Sequence, residues 1–216
     1  MSRAALVVGA TGLIGGFVIA RLLADPRYGR VTAWVRRPLA RADAKLDERA
    51  IEFGKLEAER VDAEDVYCCL GTTIKVAGSQ AAFRMVDHEY PVALARAAAR
   101  GGAKRLLVVS ALGADPRSGV FYNRVKGEME AAVQAAGVPA THFFRPSLLS
   151  GPRAETRLGE RVGLVVGAVL GPLLGRYRPI HADVVAAAML AVAAGQSVSG
   201  VYDSERIRAL GRRRSA

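Results

Sequence analysis

The sequence predicts an α/β protein whose core is a doubly wound parallel sheet with helices on both faces. Three observations carry that expectation. Short continuous apolar runs, of the kind buried on both faces of a parallel sheet, recur between stretches of helical periodicity. A glycine-rich turn, Gly9–Gly15 (GATGLIG), joins the first apolar run to the first helical stretch. The chain has 216 residues, 51% of them hydrophobic and 24% charged, which suits an ordinary globular protein with one well-buried core. A single domain over residues 1–216 is expected, with no disulfide or structural metal needed to hold it.

Each element follows in order. Ala4–Gly9 (AALVVG) reads as the first strand. Leu13, Ile14, Phe17, Val18, Leu22 and Leu23 share one helical face, so Leu13–Asp25 reads as a helix, closed by Pro26. A second buried strand is expected at Val31–Val35, a shorter one near Ala50–Phe53 after a charged stretch, and another at Val66–Leu70. Pro91–Arg100 is an alanine-rich helix ended by Gly101 and Gly102, and Arg105–Ala111 (RLLVVSA) is the next strand. A helix over Phe121–Ala136, stopped by Gly137, leads to a strand at Ala140–Arg145. Glycine and proline then become frequent from Gly151 to Pro179, and this segment is expected to form a small lid on the substrate side, beyond the carboxyl ends of the strands. A membrane-surface segment is the rival reading of Val162–Gly175, whose flanks are basic. Asp183–Ala194 reads as a helix, Gly200–Asp203 as a last strand and Arg206–Ala216 as a solvated basic tail.

Composition excludes several function classes. The run Val162–Gly175 is about 14 residues, short of the roughly 20 that span a bilayer, so no integral membrane segment is expected. The N-terminus carries no secretory pattern, and a cytoplasmic location is expected. Cys68 and Cys69 are adjacent, a spacing that strains a mutual disulfide and suits no metal, so they read as small buried residues. The three histidines are far apart in sequence, and metal binding is not expected. The net charge of +11 is scattered, and 26 of the 31 basic residues are arginine. A phosphate-bearing small ligand accounts for that charge as well as nucleic acid does, and nucleic acid is the less favoured partner.

The context of GATGLIG gives it meaning as a dinucleotide turn. Gly9, Gly12 and Gly15 let the backbone turn tightly and approach a pyrophosphate, with Thr11, Leu13 and Ile14 completing the cradle at the helix N-terminus. Gly12 is expected nearest the phosphates. The second strand ends in Arg36 and Arg37, where an NAD site would place an acidic residue for the adenosine ribose. A guanidinium there suits a 2′-phosphate, so NADP is the expected cofactor.

Tyr122 and Lys126 are four apart on one face of a predicted helix, and Ser110 ends the strand before it. This Ser…Tyr-x-x-x-Lys set, downstream of GATGLIG, resembles the short-chain dehydrogenase/reductase family and implies its Rossmann fold. Lys104–Ser110 (KRLLVVS), Arg145–Pro146 and Pro179–Val184 (PIHADV) are similar to the family's later landmarks. Cys68–Thr73 (CCLGTT), Val86–Tyr90 (VDHEY) and Arg145–Leu149 (RPSLL) resemble its atypical members, close to the Tat-interacting-protein-like oxidoreductases. The resemblance implies that Ser110 holds the substrate oxygen and Tyr122 exchanges a proton with it. Lys126 would lower the tyrosine's usual pKa of roughly 10 and bind the nicotinamide ribose. Leu70, Gly71, Thr72 and Pro146 would join Tyr122 and Lys126 around the cofactor. One departure follows, in that Asp87 stands where many members carry a relay asparagine, whereas His181 resembles a structural histidine of the family, with substrate contact as its alternative role. The expected function is an NADP-dependent oxidoreductase acting on a small carbonyl or alcohol substrate, with a homodimer or protein partner left open. One alternative is an NADP(H)-binding redox-sensing regulatory protein without turnover. The other, a nucleotide-sugar epimerase or dehydratase, is disfavoured by the mere 70 or so residues after Arg145.

Overall fold

A computed structural model of the chain describes residues 2–151, 178–195 and 198–212. The apolar runs assemble as seven parallel strands: β1 (Arg3–Val8), β2 (Tyr28–Val35), β3 (Leu46–Ala50), β4 (Asp65–Cys68), β5 (Arg105–Val109), β6 (Ala140–Arg145) and, last in the chain, Gly200–Asp203. Between β6 and that last strand, β7 (Leu149–Ser150) and β8 (Ile180–His181) form a separate two-stranded parallel pair, so Gly200–Asp203 is β9. The sheet order is β3-β2-β1-β4-β5-β6-β9. Strand order reverses between β1 and β4, and in open α/β sheets ligands bind in the crevice outside such a switch point.

The helices are α1 (Leu13–Ala24), α2 (Ile74–Ala77), α3 (Gln80–Arg84), α4 (Tyr90–Arg100), α5 (Phe121–Ala135), α6 (Ala182–Gly195) and α7 (Ser204–Arg212). Alternation along β1 builds the two core layers. Ala5 and Val7 face α1 and α6, whereas Leu6 and Val8 join Leu94, Ala98, Met129 and Val133 of α4 and α5 on the other side. Each fully buried leucine in these layers, such as Leu22 or Leu107, contributes about 1.5–3 kcal/mol of transfer free energy. The half-buried Arg21–Asp183 pair, with bonds of 2.7 and 2.8 Å, ties α1 to α6.

Three expectations need correction or qualification. The third strand is Leu46–Ala50, upstream of the expected Ala50–Phe53, where Phe53–Ala58 instead forms a 3-10 turn. Its polar sequence LDERA lies on the sheet edge with no fully buried residue, so no apolar signal marks it. The expected solvated tail folds as α7 through residue 212, because Ile207 is fully buried and Gly211 packs where a Cβ would lie 2.4 Å from the Val184 carbonyl oxygen. Of the expected lid, Gly151–Pro179, residues 152–177 lie outside the described residues, as do residues 213–216 of the tail.

Candidate cofactor and catalytic site

The turn between β1 and α1 assigns a different task to each glycine. Gly9 has φ +88°, and a Cβ there would sit 2.6 Å from the Cys69 carbonyl, so it allows β1 and β4 to close together at the switch point. A Cβ at Gly15 would fall 2.1 Å from the Gly9 carbonyl oxygen, so Gly15 lets the helix pack onto its own turn. Gly12 is exposed, and a Cβ there would meet the Gly9 oxygen at 3.1 Å and the Cys69 oxygen at 3.8 Å. Internal packing thus demands least of Gly12. No side chain among the described residues caps α1 at Gly12, and its first turn holds no acidic residue. The first-turn amides and helix dipole are therefore free for an anion. Thr11 is exposed and Leu13 half-buried, whereas Ile14 is packed in the core and can offer only its backbone N–H.

A cleft opens beside this turn, lined by Gly9, Ala10 and Thr11 on one side and by Arg36, Phe53, Leu70, Val86 and Tyr90 on others. The Arg36 guanidinium carbon lies 5.9 Å from the Phe53 ring centroid, in cation–π range. Arg37 is exposed and does not line the cleft. Phe53 and Tyr90, with ring centroids 5.6 Å apart, are wall residues that the sequence reading missed. Tyr90 lay inside the VDHEY motif, but nothing local showed which way it faced.

Lys126 and Asp87 form a buried ion pair next to this cleft. Lys126 Nζ lies 2.7 Å from Asp87 Oδ1, with side chains only 3% and 1% exposed. Oδ1 has no angle-aligned hydrogen bond, so charge rather than an aligned N–H balances it. The Thr72 N–H donates to Asp87 Oδ2 at 2.8 Å, and a Cβ at the neighbouring Gly71 would stand 3.6 Å from Oδ1. Burial pushes the Lys126 ammonium down, but Asp87 and then Tyr122 outweigh it and hold its pKa above the usual lysine value. Tyr122, half-buried with its ring 5.5 Å from that of Phe83, is also raised: burial and Asp87 push it up against the opposing pull of Lys126. The direction is opposite to the lowered tyrosine that the resemblance implies.

Ser110 is buried elsewhere. Its Oγ donates to Glu130 Oε1 at 2.5 Å, and Arg145 forks onto the same carboxylate at 2.9 and 2.5 Å. The structure thus brings Ser110 to Glu130 and Arg145, joining β5, α5 and β6, and no described contact carries it to Tyr122. Glu130 was legible only as a charge on the helix face of Tyr122 and Lys126, at positions i, i+4 and i+8. Pro146 is buried, and its carbonyl accepts from the Leu112 N–H at 3.0 Å. His181 Nδ1 accepts from the Asp183 N–H at 3.2 Å and its ring meets Phe17 edge-on, a structural role at the start of α6. Among the described residues no group of side chains could hold a metal ion, and no helix is long and apolar enough to cross a membrane. Both cysteines are free, with Cys68 buried and Cys69 half-buried.

Comparison with known proteins bears on this geometry. An NAD(P)H-binding family model matches residues 9–194. Protein HTATIP2 of Rattus norvegicus is 34% identical over 165 residues, covering 74% of this chain and 68% of that protein. Mitochondrial protein FMP52 of Eremothecium gossypii is 33% identical over 204 residues, 91% of each chain. Among solved structures, MoeE5 in complex with UDP-glucose and NAD superposes with a TM-score of 0.71 at 18% identity, over 97% of this chain and 81% of that one, a likeness of fold alone. The cytoplasmic expectation is overturned by the mitochondrial name of FMP52. It rested on a missing leader pattern, and a compartment is set by receptor-read addresses that core packing and site chemistry do not encode.

Proposed function

The chain belongs to the NAD(P)H-binding family, and on that premise we propose that it is an NADP-dependent oxidoreductase acting on a small carbonyl or alcohol substrate. One observation carries the reading: the uncapped glycine turn lines a cleft at the switch point, and the partners of the helix-borne Lys126 follow within two residues of that cleft's wall. Leu70 and Val86 line that cleft, while Thr72 and Asp87, just along the chain, hold Lys126.

The residues present fit a dinucleotide. Backbone amides of Leu13, Ile14 and Gly15 would hold the pyrophosphate, with the space at Gly12 left for its approach. Arg36, at the cleft wall, would pair with the 2′-phosphate. When bound, the nicotinamide supplies or accepts the hydride. Tyr122 gives its phenolic proton to the carbonyl oxygen, or takes one from an alcohol, a contribution of typically about 10²–10⁴-fold. Lys126 orients the cofactor's ribose end and sets the charge around Tyr122. Ser110, tied to Glu130, steadies the helix that bears them.

A second reading is favoured by the same ion pair. With Lys126 held by Asp87, the fold also suits a protein that binds NADP(H) as a redox signal and turns nothing over. The nucleotide-sugar reading has only the fold in its support. Titration calorimetry with NADPH and NADH, followed by a panel of aldehydes and ketones with NADPH, separates these. Preferential NADPH binding with turnover supports the oxidoreductase. Tight NADPH binding with no turnover across the panel supports the sensor, and equal affinity for both cofactors sinks the NADP assignment.

A further inference from the structure

The Lys126–Asp87 pair is a buried charge arrangement that the proposed chemistry does not require. Asp87 sits in the π-helical turn Met85–Glu89, between α3 and α4, and is 1% exposed. Its two oxygens are divided between Lys126 Nζ and the Thr72 N–H. Three elements supply the titratable groups around it: Asp87 from the turn, Cys68 from the end of β4, and Tyr122 one helical turn before Lys126 on α5. Burial pushes the Cys68 thiol up to about 11, so it is neutral at physiological pH. Phe83 of α3 packs against the Tyr122 ring. The ammonium beside Tyr122 is therefore matched by one carboxylate, with no other anion among the described neighbours.

We propose that Asp87 is a positioning residue that withholds the Lys126 ammonium from Tyr122, so that Tyr122 rests as a proton-donating phenol and the site stands ready for carbonyl reduction. The inference rests on the reading of Tyr122 as the acid/base group. In that step the hydride that a reduced nicotinamide would supply, its own C–H bond breaking to leave the oxidised ring, would form the new C–H bond as the carbonyl π bond opens onto oxygen. The Tyr122 O–H bond breaks, its proton completes the alcohol hydroxyl, and water later returns a proton to the phenolate. A lone carboxylate beside a phenol disfavours phenolate, and pairing it with the ammonium removes most of the attraction that would otherwise favour it. The raised pKa of Tyr122 agrees in direction. Alcohol oxidation, which needs phenolate, should then gain only as the pH climbs.

The test reads Tyr122 directly, without cofactor or substrate. Protein carrying ring-labelled tyrosine gives NMR signals from six tyrosines, and the Tyr122 signal is the one absent from Tyr122→Phe. In the wild type, Tyr122 should titrate above the roughly 10 of a free tyrosine. Asp87→Asn should raise its ionisation constant by about tenfold, the order expected on removing one adjacent charge. Asp87→Glu, which keeps the carboxylate, should titrate as the wild type does. A wild-type midpoint below that of free tyrosine overturns the proposal even if Asp87→Asn fails to fold. So does an Asp87→Asn variant with an unchanged Tyr122 titration, or an Asp87→Glu variant that behaves like Asp87→Asn. Failure here leaves Tyr122 standing as the acid/base group, whereas a carbonyl panel without turnover would remove that reading and leave the titration intact.

Discussion

Alanine at Gly12 and alanine at Gly15 should fail in opposite ways. At Gly15 the new Cβ would lie 2.1 Å from the Gly9 carbonyl oxygen and 2.8 Å from the Gly9 carbonyl carbon. Comfortable contact needs about 3.5 Å, so the turn or α1 must move by more than about 1 Å, and the neighbouring atoms are backbone that cannot swing aside. Overpacking of this kind costs about 1–3 kcal/mol or more, offset by about 0.5–1 kcal/mol from the better helix propensity of alanine. For a chain of this size each kcal/mol lowers Tm by roughly 2–4 °C, so Gly15→Ala should melt several degrees early. At Gly12 the Cβ meets one oxygen at 3.1 Å, and alanine in place of glycine at an N-cap costs below about 1 kcal/mol. Its Tm should stay within about 3 °C of wild type, while NADPH affinity drops at least about tenfold, equivalent to 1.4 kcal/mol, because the methyl group occupies the approach to the helix amides. Thermal unfolding by circular dichroism and titration calorimetry read the two effects separately. A Gly12→Ala protein that binds NADPH as tightly as wild type would refute the assignment of this turn to the pyrophosphate. Equal melting of the two variants would refute the division of labour between the glycines.

Arg36→Asp should invert the cofactor preference from NADPH to NADH, because the cleft-lining guanidinium is replaced by an acceptor for a ribose hydroxyl; calorimetry that shows unchanged preference would exclude Arg36 as the selecting residue. Tyr122→Phe deletes one hydroxyl and should leave folding and NADPH binding near wild type while turnover falls about 10²–10⁴-fold; an unaltered steady-state rate on a confirmed substrate would eliminate Tyr122 as the acid/base. Burial, with the Arg105 charge adding to it, pushes the His142 imidazole down to about 4. Its unfolded value is roughly 6.5, so protons bind the unfolded chain first, and stability is lost as pH falls through the window between these values. At pH 5 the loss should be about 1–2 kcal/mol, and His142→Gln should show a correspondingly smaller drop in Tm between pH 7 and pH 5.

Much of the fold was legible because periodicity is local. The runs AALVVG and RLLVVSA announce strands buried on both faces, and β6 runs over Ala140–Arg145 as the sequence predicts. The glycine turn was equally legible, since its meaning depends only on the strand before it and the helix after it. Tyr122 and Lys126 share a helix face through the helical repeat alone. The edge strand LDERA escaped because Leu46 is its only half-buried apolar residue, too little to show an alternation, and α7 escaped because arginines surround its one fully buried aliphatic residue, Ile207.

The sequence by itself therefore determined the α/β class, the glycine turn between β1 and α1 and the shared helix face of Tyr122 and Lys126, all written in neighbours a few residues apart. Tertiary structure alone decided which charges meet. Lys126 lies against Asp87 rather than acting on Tyr122 unopposed, Ser110 donates to a Glu130 carboxylate that Arg145 also engages, and Phe53 comes beside Arg36 to wall the cleft. Buried charges must find partners wherever the fold brings them, and those partners come from other strands and helices. No spacing along one element encodes such a meeting, so the sign of the Tyr122 shift could be read only after the sheet had closed.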